Sequence, residues 1–210
     1  FEDFELGIIT SENCGTWDWE DIREVNYFLD NNTYTSVPED IRNNYSGIAL
    51  FFRAMLYYDK LVNYGEVPWI GRVLNPGDPE LTAPRDSRDV IIQHIIDDCD
   101  QAYEWIKSES SADSQAGFLN KYCAMLLKSR VCLFEASWRK YHNEETELWS
   151  AEDLYRECID ASQKLIDDPN VKLNTKICQD SYLDNNPSLG AYRSVFYSKE
   201  LMTDEVILGV

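Results

Sequence analysis

The run Ile48–Leu74, IALFFRAMLYYDKLVNYGEVPWIGRVL, decides the fold. Between Ile48 and Tyr58 its only charge is Arg53, so apolar side chains fall on every side of the helical wheel. A helix of that kind is expected to be buried against several neighbours. Gly65 suits the residue with positive φ that follows a helix, and Pro68 blocks continuation. The chain then enters a loop holding Pro68, Pro76, Pro79 and Pro84, four of its seven prolines. A central helix therefore empties into a stiffened loop, and the other helices are expected to wrap around it. Arg53 must find a carboxylate or backbone carbonyls, because an unpaired buried charge is not tolerated.

Working outward, the helical period recurs on both sides. Upstream, Ile22, Val25, Phe28 and Leu29 form the stripe of a helix that opens at Asp18, with Asp21 in a weak capping-box arrangement. Asn26 lies near that stripe and, if buried, needs hydrogen-bond partners. Ser36 and Glu39 form an S-x-x-E box at the start of the central helix, with Pro38 in its first turn. Downstream, a third helix begins near Asp86 or Ser87 and carries Val90, Ile91, Ile95, Ala102, Tyr103 and Ile106. The Ser/Ala/Gly/Asp-rich segment 108–117 breaks it. A fourth covers about 119–141, with Ala124, Leu127, Val131, Phe134 and Trp138 on one stripe. A fifth starts at Ser150, capped with Asp153, and ends in Asp167-Asp168-Pro169, its stripe being Leu154, Cys158, Ala161 and Leu165. Beyond it, 182–190 reads as loop and Glu205–Val210 as a strand or the lead-in to one.

The class is mostly α, with long pinned loops and little β. Two helix pairs, 46–65 with 87–107 and 119–141 with 151–168, are similar to stretched tetratricopeptide repeats, small residues (Ala124, Ala136, Ala161) marking close approach. A generic helical bundle is the alternative.

The totals bound the function. The 210 residues suffice for one domain, 1–210, and 44% apolar with 13% aromatic content fills a core. Thirty-eight acidic against 19 basic residues give a formal charge of −19, which repels phosphate backbones and argues against nucleic-acid binding. No apolar run is long enough for a membrane-spanning helix. The six cysteines show no metal-type spacing with His94 and His142, and those inside helices read as small core residues. No catalytic motif is present, and no metal or cofactor is expected. Asp97-Asp98 and Asp167-Asp168 are adjacent on helices and point to different sides.

Aromatic residues are the informative class, with six Trp and thirteen Tyr. Trp17 and Trp19, following Asn13 in Ser11–Trp19, are the best-placed platform for stacking a neutral sugar. The competing reading makes Trp17 a staple onto Ile22 and puts Trp19 on the core face of the first helix. Trp69 reads as a core plug beneath its loop, and Trp138 as a core residue of the fourth helix.

The signature Phe52-Arg53-Ala54, Tyr57-Tyr58-Asp59, Leu61-Val62 and Tyr64-Gly65-Glu66-Val67-Pro68 resembles that of SusD/RagB-like nutrient-binding proteins. Ile22-Arg23-x-x-Asn26-x-Phe28-Leu29 resembles the family's first helix motif, and Asp78-Pro79-Glu80-Leu81 through Asp89-Val90 its loop into the next helix. Lys121-x-x-Ala124-x-x-Leu127-x-x-Arg130-Val131 and Asp204-Glu205-Val206-Ile207-Leu208 follow in the family's order. The resemblance implies a non-enzymatic, surface-exposed outer-membrane lipoprotein. Such a protein captures oligosaccharide and hands it to a SusC-like TonB-dependent transporter. It also implies that 1–210 is the tetratricopeptide-rich part of a longer chain whose lipid anchor and C-terminal half lie outside it. Ser11-Glu12-Asn13 falls where many members have Ser/Thr-Asp-Glu, with a shorter segment before the first helix. Asn13, Trp17 and Trp19 are the expected ligand-binding residues, and a protein-interaction scaffold without its own sugar site is the rival function.

Overall fold

The computed structural model describes residues 17–107, 119–143 and 148–173. Among these residues five helices follow one another: α1 (Glu20–Asn31), α2 (Glu39–Tyr64), α3 (Arg88–Trp105), α4 (Lys121–His142) and α5 (Ala151–Asp167), with a short 3-10 turn at Pro79–Thr82. Among the described residues the only β pairing is a single bridge between Val67 and Asp86. Contacts follow chain order: α1 packs on α2, α2 on α3, α3 on α4 and α4 on α5, with α2 also touching α4. That nearest-neighbour stacking is the tetratricopeptide-like arrangement the sequence predicts. The expected loop at 182–190, the strand at Glu205–Val210, and Cys14 and Cys178 lie outside the described residues.

Helix ends follow local chemistry, with two exceptions. Ser87 accepts a hydrogen bond from the Val90 amide, and Ser150 and Asp153 close a reciprocal capping box. Gly65 ends α2 at φ +71°, and Asn143 ends α4 in the left-handed region. The Ser36–Glu39 box does not form. Pro38 takes the N-cap position instead, and its carbonyl receives the Ile41 and Arg42 amides at 3.1 and 3.0 Å. α1 starts at Glu20 rather than Asp18. Asp18 still caps it loosely, its Oδ1 accepting the Glu20 amide at 2.9 Å, without a reciprocal Asp21 bond.

One core runs through the stack, built from Ile22, Ala54, Tyr57, Leu61, Val67, Ile91, Ile95, Val131, Ala136 and Leu154. A second cluster joins Leu50, Phe51, Ala102, Ile106 and Ala124 at the other end of α2. Ala124, Ala136 and Ala161 are all buried, as close helix approach requires. Cys99, Cys123 and Cys132 are buried and Cys158 half-buried, all four with free thiols. The expectation of a central helix buried on every side is corrected. Phe52, Met55 and Val62 are about 40% exposed along one edge of α2. Among the described residues the helices packed on α2 are α1, α3 and α4, and with the loop that follows α2 they leave that stripe uncovered.

Buried charges are paired between helices. Lys128 of α4 reaches Asp100 of α3 at 2.8 Å and Glu157 of α5 at 2.7 Å. Glu135 accepts from Arg88 and from Arg139, and Arg139 also donates to Asp89 and to the Trp149 carbonyl. Arg53 meets Asp98, as its position in an apolar helix demands.

Candidate functional site: the cleft between α1 and the 66–86 loop

Loop 66–86 lies over α1 and α2, held by its own backbone. The Asp86 amide donates to the Val67 carbonyl at 3.1 Å, and Asp86 Oδ2 accepts the Trp69 amide at 2.7 Å. Tyr57, fully buried on α2, accepts the Ile70 amide at 2.7 Å through its hydroxyl. Burial raises that phenol above its ordinary range, so it stays neutral as the loop's anchor. Further along, Asp30 of α1 accepts the Val73 amide at 2.9 Å, and Arg72 bridges Asp78 at 2.8 Å and Glu80 at 2.6 Å. With prolines limiting backbone freedom, this is a rigid wall rather than a loose connection.

Between that wall and the first turns of α1 lies an open cleft of about 690 Å³. Trp19, Ile22, Ile70 and Leu74, buried or half-buried, and the exposed Pro76 and Leu81 give it an apolar lining, and Asp18, Glu20, Arg23, Arg72 and Asn75 a polar one. An apolar concavity rimmed by a few polar groups is the usual form of a small-ligand site. A flat indole in the apolar lining suits the C–H face of a sugar ring, while the polar lining supplies both donors and acceptors for hydroxyls.

Of the expected ligand-binding residues, Trp19 lines the cleft, half-buried. Its ring lies 6.1 Å from that of Tyr57, with the Lys60 ammonium 5.7 Å above it. Trp17 is 44% exposed and packs edge-on against Trp19 and Tyr64, at 5.2 and 4.8 Å. The guanidinium of Arg85 lies 5.1 Å over its ring. The ring contacts of Trp17 thus run to Trp19, Tyr64 and Arg85. Asn13 lies outside the described residues. The other lining residues, Arg23 of α1 and Ile70, Arg72, Leu74, Asn75, Pro76 and Leu81 of the loop, are not among the expected ligand-binding residues. The signals that point to them are the prolines of the loop and, for Arg23 and Leu81, their place in the family-like motifs.

Trp69 is the plug it was expected to be. Its indole stacks on His94 at 4.1 Å and packs near Tyr57 at 4.3 Å. His94 is half-buried beneath that indole. Burial holds its imidazole below the usual range, against the opposing pull of Asp97 and Asp98. Trp138 is half-buried rather than central, stacked on His142 at 3.9 Å with Arg88 4.9 Å from its ring. Of the adjacent acids, Asp97 is exposed and Asp98 buried against Arg53, as their helical spacing requires.

No family model matches the chain, and no curated protein matches it. Solved structures do. One is a SusD-like protein from Bacteroides fragilis: 22% identity, TM-score 0.64, covering 95% of this chain and 35% of that one. A second, solved with a xylogluco-oligosaccharide, is 19% identical with a TM-score of 0.60 and covers 80% of this chain and 32% of that one. A third, described as a SusD-like carbohydrate-binding protein from Bacteroides fragilis, is 16% identical with a TM-score of 0.60, covering 80% and 30%. The chain thus spans about a third of the length of the structures it matches. At these identities the likeness concerns architecture: in fold, the chain belongs with the SusD-like proteins.

Proposed function

We propose that the chain is the helical part of a non-catalytic glycan-binding protein that captures oligosaccharide at the α1–loop cleft. It then passes the sugar to a SusC-like TonB-dependent transporter in the outer membrane, to which a lipid anchor outside this chain tethers it. The observation that carries the reading is the rigid, Trp19-lined cleft, on a fold shared with a protein solved with a xylogluco-oligosaccharide. Stacking on one indole plus a few hydroxyl hydrogen bonds, each netting about 0.5–1.5 kcal/mol, gives μM–mM affinity, which suits a surface collector.

The test is calorimetric titration of the full-length protein against neutral and acidic oligosaccharides, with product analysis of the same mixtures. Saturable binding that weakens at least tenfold in Trp19→Ala is the expected result. Release of shorter sugars would overturn the non-catalytic reading, because turnover needs an acid–base pair of carboxyls. Unchanged affinity in Trp19→Ala and Trp17→Ala would move the site out of this chain.

The uncovered apolar edge favours a second role. Phe52, Met55 and Val62 on α2, with Leu126 and Leu133 on α4, are each about 40–50% exposed. Exposed apolar patches of this kind mark protein contacts. In this reading the helical part contributes more to transporter docking than to sugar recognition. Phe52→Lys with Leu133→Lys should then abolish capture of the barrel and leave sugar binding intact.

A further inference from the structure

A line of buried polar groups crosses the helices and ends on one wall of the cleft. Asp98 of α3 holds Arg53 of α2 with both carboxylate oxygens at 2.7 Å. Arg53 Nη1 donates onward to Asn26 Oδ1 at 3.1 Å and to the Gly71 carbonyl at 3.3 Å. Asn26 of α1, fully buried, donates from Nδ2 to the Ile70 carbonyl at 2.7 Å and to that of Arg72 at 3.5 Å. Three successive carbonyls of the wall thus receive donors from Asn26 and Arg53, the Ile70 carbonyl also lying 3.2 Å from the Tyr57 hydroxyl, in a segment without a β-ladder to satisfy them.

We propose that Asn26, Arg53 and Asp98 are positioning residues for the cleft: they fix the 70–73 wall and add little net stability to the helices. The functional half of the statement rests on the glycan-site reading; the structural half does not. A buried ion pair loses hydration on both partners, and well-packed apolar substitutes of similar volume are often neutral or stabilising. Here burial outweighs Arg53 and leaves the Asp98 carboxyl above its ordinary range, the direction expected where desolvation is not fully repaid. Hydrophobic packing around Ala54, Tyr57, Ile91 and Ile95 holds α2 to α3 without the pair. What packing cannot supply is direction. Apolar contacts are non-directional, whereas a guanidinium and an amide aimed at specific carbonyls select one path for the wall.

The test is the double variant Arg53→Met/Asp98→Leu in the full-length protein, which removes both charges together and leaves neither orphaned. Amide exchange should accelerate about 10- to 100-fold at Ile70 and Val73, while core amides of α2 and α3 keep their protection and the melting temperature stays within a few degrees. Unchanged exchange at Ile70 and Val73 would overturn the proposal. So would simultaneous loss of protection in loop and helices. Binding of maltoheptaose and a xylogluco-heptasaccharide is followed in parallel, with Trp19→Ala as control. Intact binding in Trp19→Ala sinks the glycan-site reading alone, since the exchange data judge the relay without any ligand. A loosened wall with undiminished binding in the double variant, where Trp19→Ala does lose it, overturns the positioning role.

Discussion

The imidazole of His94 lies flat against the indole of Trp69, ring centroids 4.1 Å apart and planes 9° from parallel. The two residues belong to α3 and to the loop it supports, so the stack couples a titratable group to the wall of the cleft. Asp86 joins them from the far end of the loop, accepting the Trp69 amide.

That stack predicts a pH dependence. Burial lowers the folded-state pKa of His94 below its ordinary 6.5, with Asp97, Asp98 and Asp86 pulling up and Arg53 pushing down. Between the two values the unfolded chain binds more protons, so the stability of the neutral stack is present above about pH 6.5 and is lost as pH falls from there. Melting temperatures of the protein and of His94→Gln, measured at pH 7.5 and 5.5, should show a larger drop on acidification for the unaltered protein. Equal drops would mean that the stack does not sense protonation.

The Glu135 carboxylate is fully buried and shared by Arg88 and Arg139. Glu135→Gln should destabilise by about 3–5 kcal/mol, because it leaves two buried guanidiniums competing for Asp89 and backbone carbonyls. Denaturant titration reads this directly. A loss under 1 kcal/mol would show that water reaches the cluster.

Gly47 sits inside α2, where alanine would ordinarily be favoured by about 1 kcal/mol. Here a Cβ would meet Ile106 Cγ1 at 2.9 Å, Trp105 Cβ at 3.0 Å and the Ile106 backbone nitrogen at 3.1 Å. Gly47→Ala should therefore destabilise, by about 1–2 kcal/mol net of the propensity gain. Unchanged or increased stability would require the end of α3 to shift, visible as altered exchange at Ile106.

Thiol reactivity should follow burial. Burial pushes Cys132 up to about 12 and Cys99 well above the usual thiol range, and raises Cys123 as well. Iodoacetamide at pH 8 should label Cys158, the half-buried one, well before these three, as read by peptide mapping. Early labelling of Cys99 or Cys132 would reveal local opening of the α3–α4 contact.

Sequence alone determined the helices and most of their ends. These depend on interactions three or four residues apart, so Gly65, Ser87 and the Ser150–Asp153 box act where they stand. It also determined that Arg53 and Asn26 must find partners, since desolvation allows no alternative. Only the tertiary structure decided which partners. Asp98 is 45 residues from Arg53 and the Ile70 carbonyl 44 from Asn26, and nothing local distinguishes Asp98 from Asp97 beyond which side of α3 meets α2. The same holds for the cleft. Trp19 is legible as an aromatic residue near a helix start, but Leu74, Pro76 and Leu81 join the same lining only when the pinned loop folds back over α1. The uncovered edge of α2 has the same origin. A helical wheel registers what a side chain is, whereas exposure depends on which neighbours arrive, a property of packing that no local pattern carries.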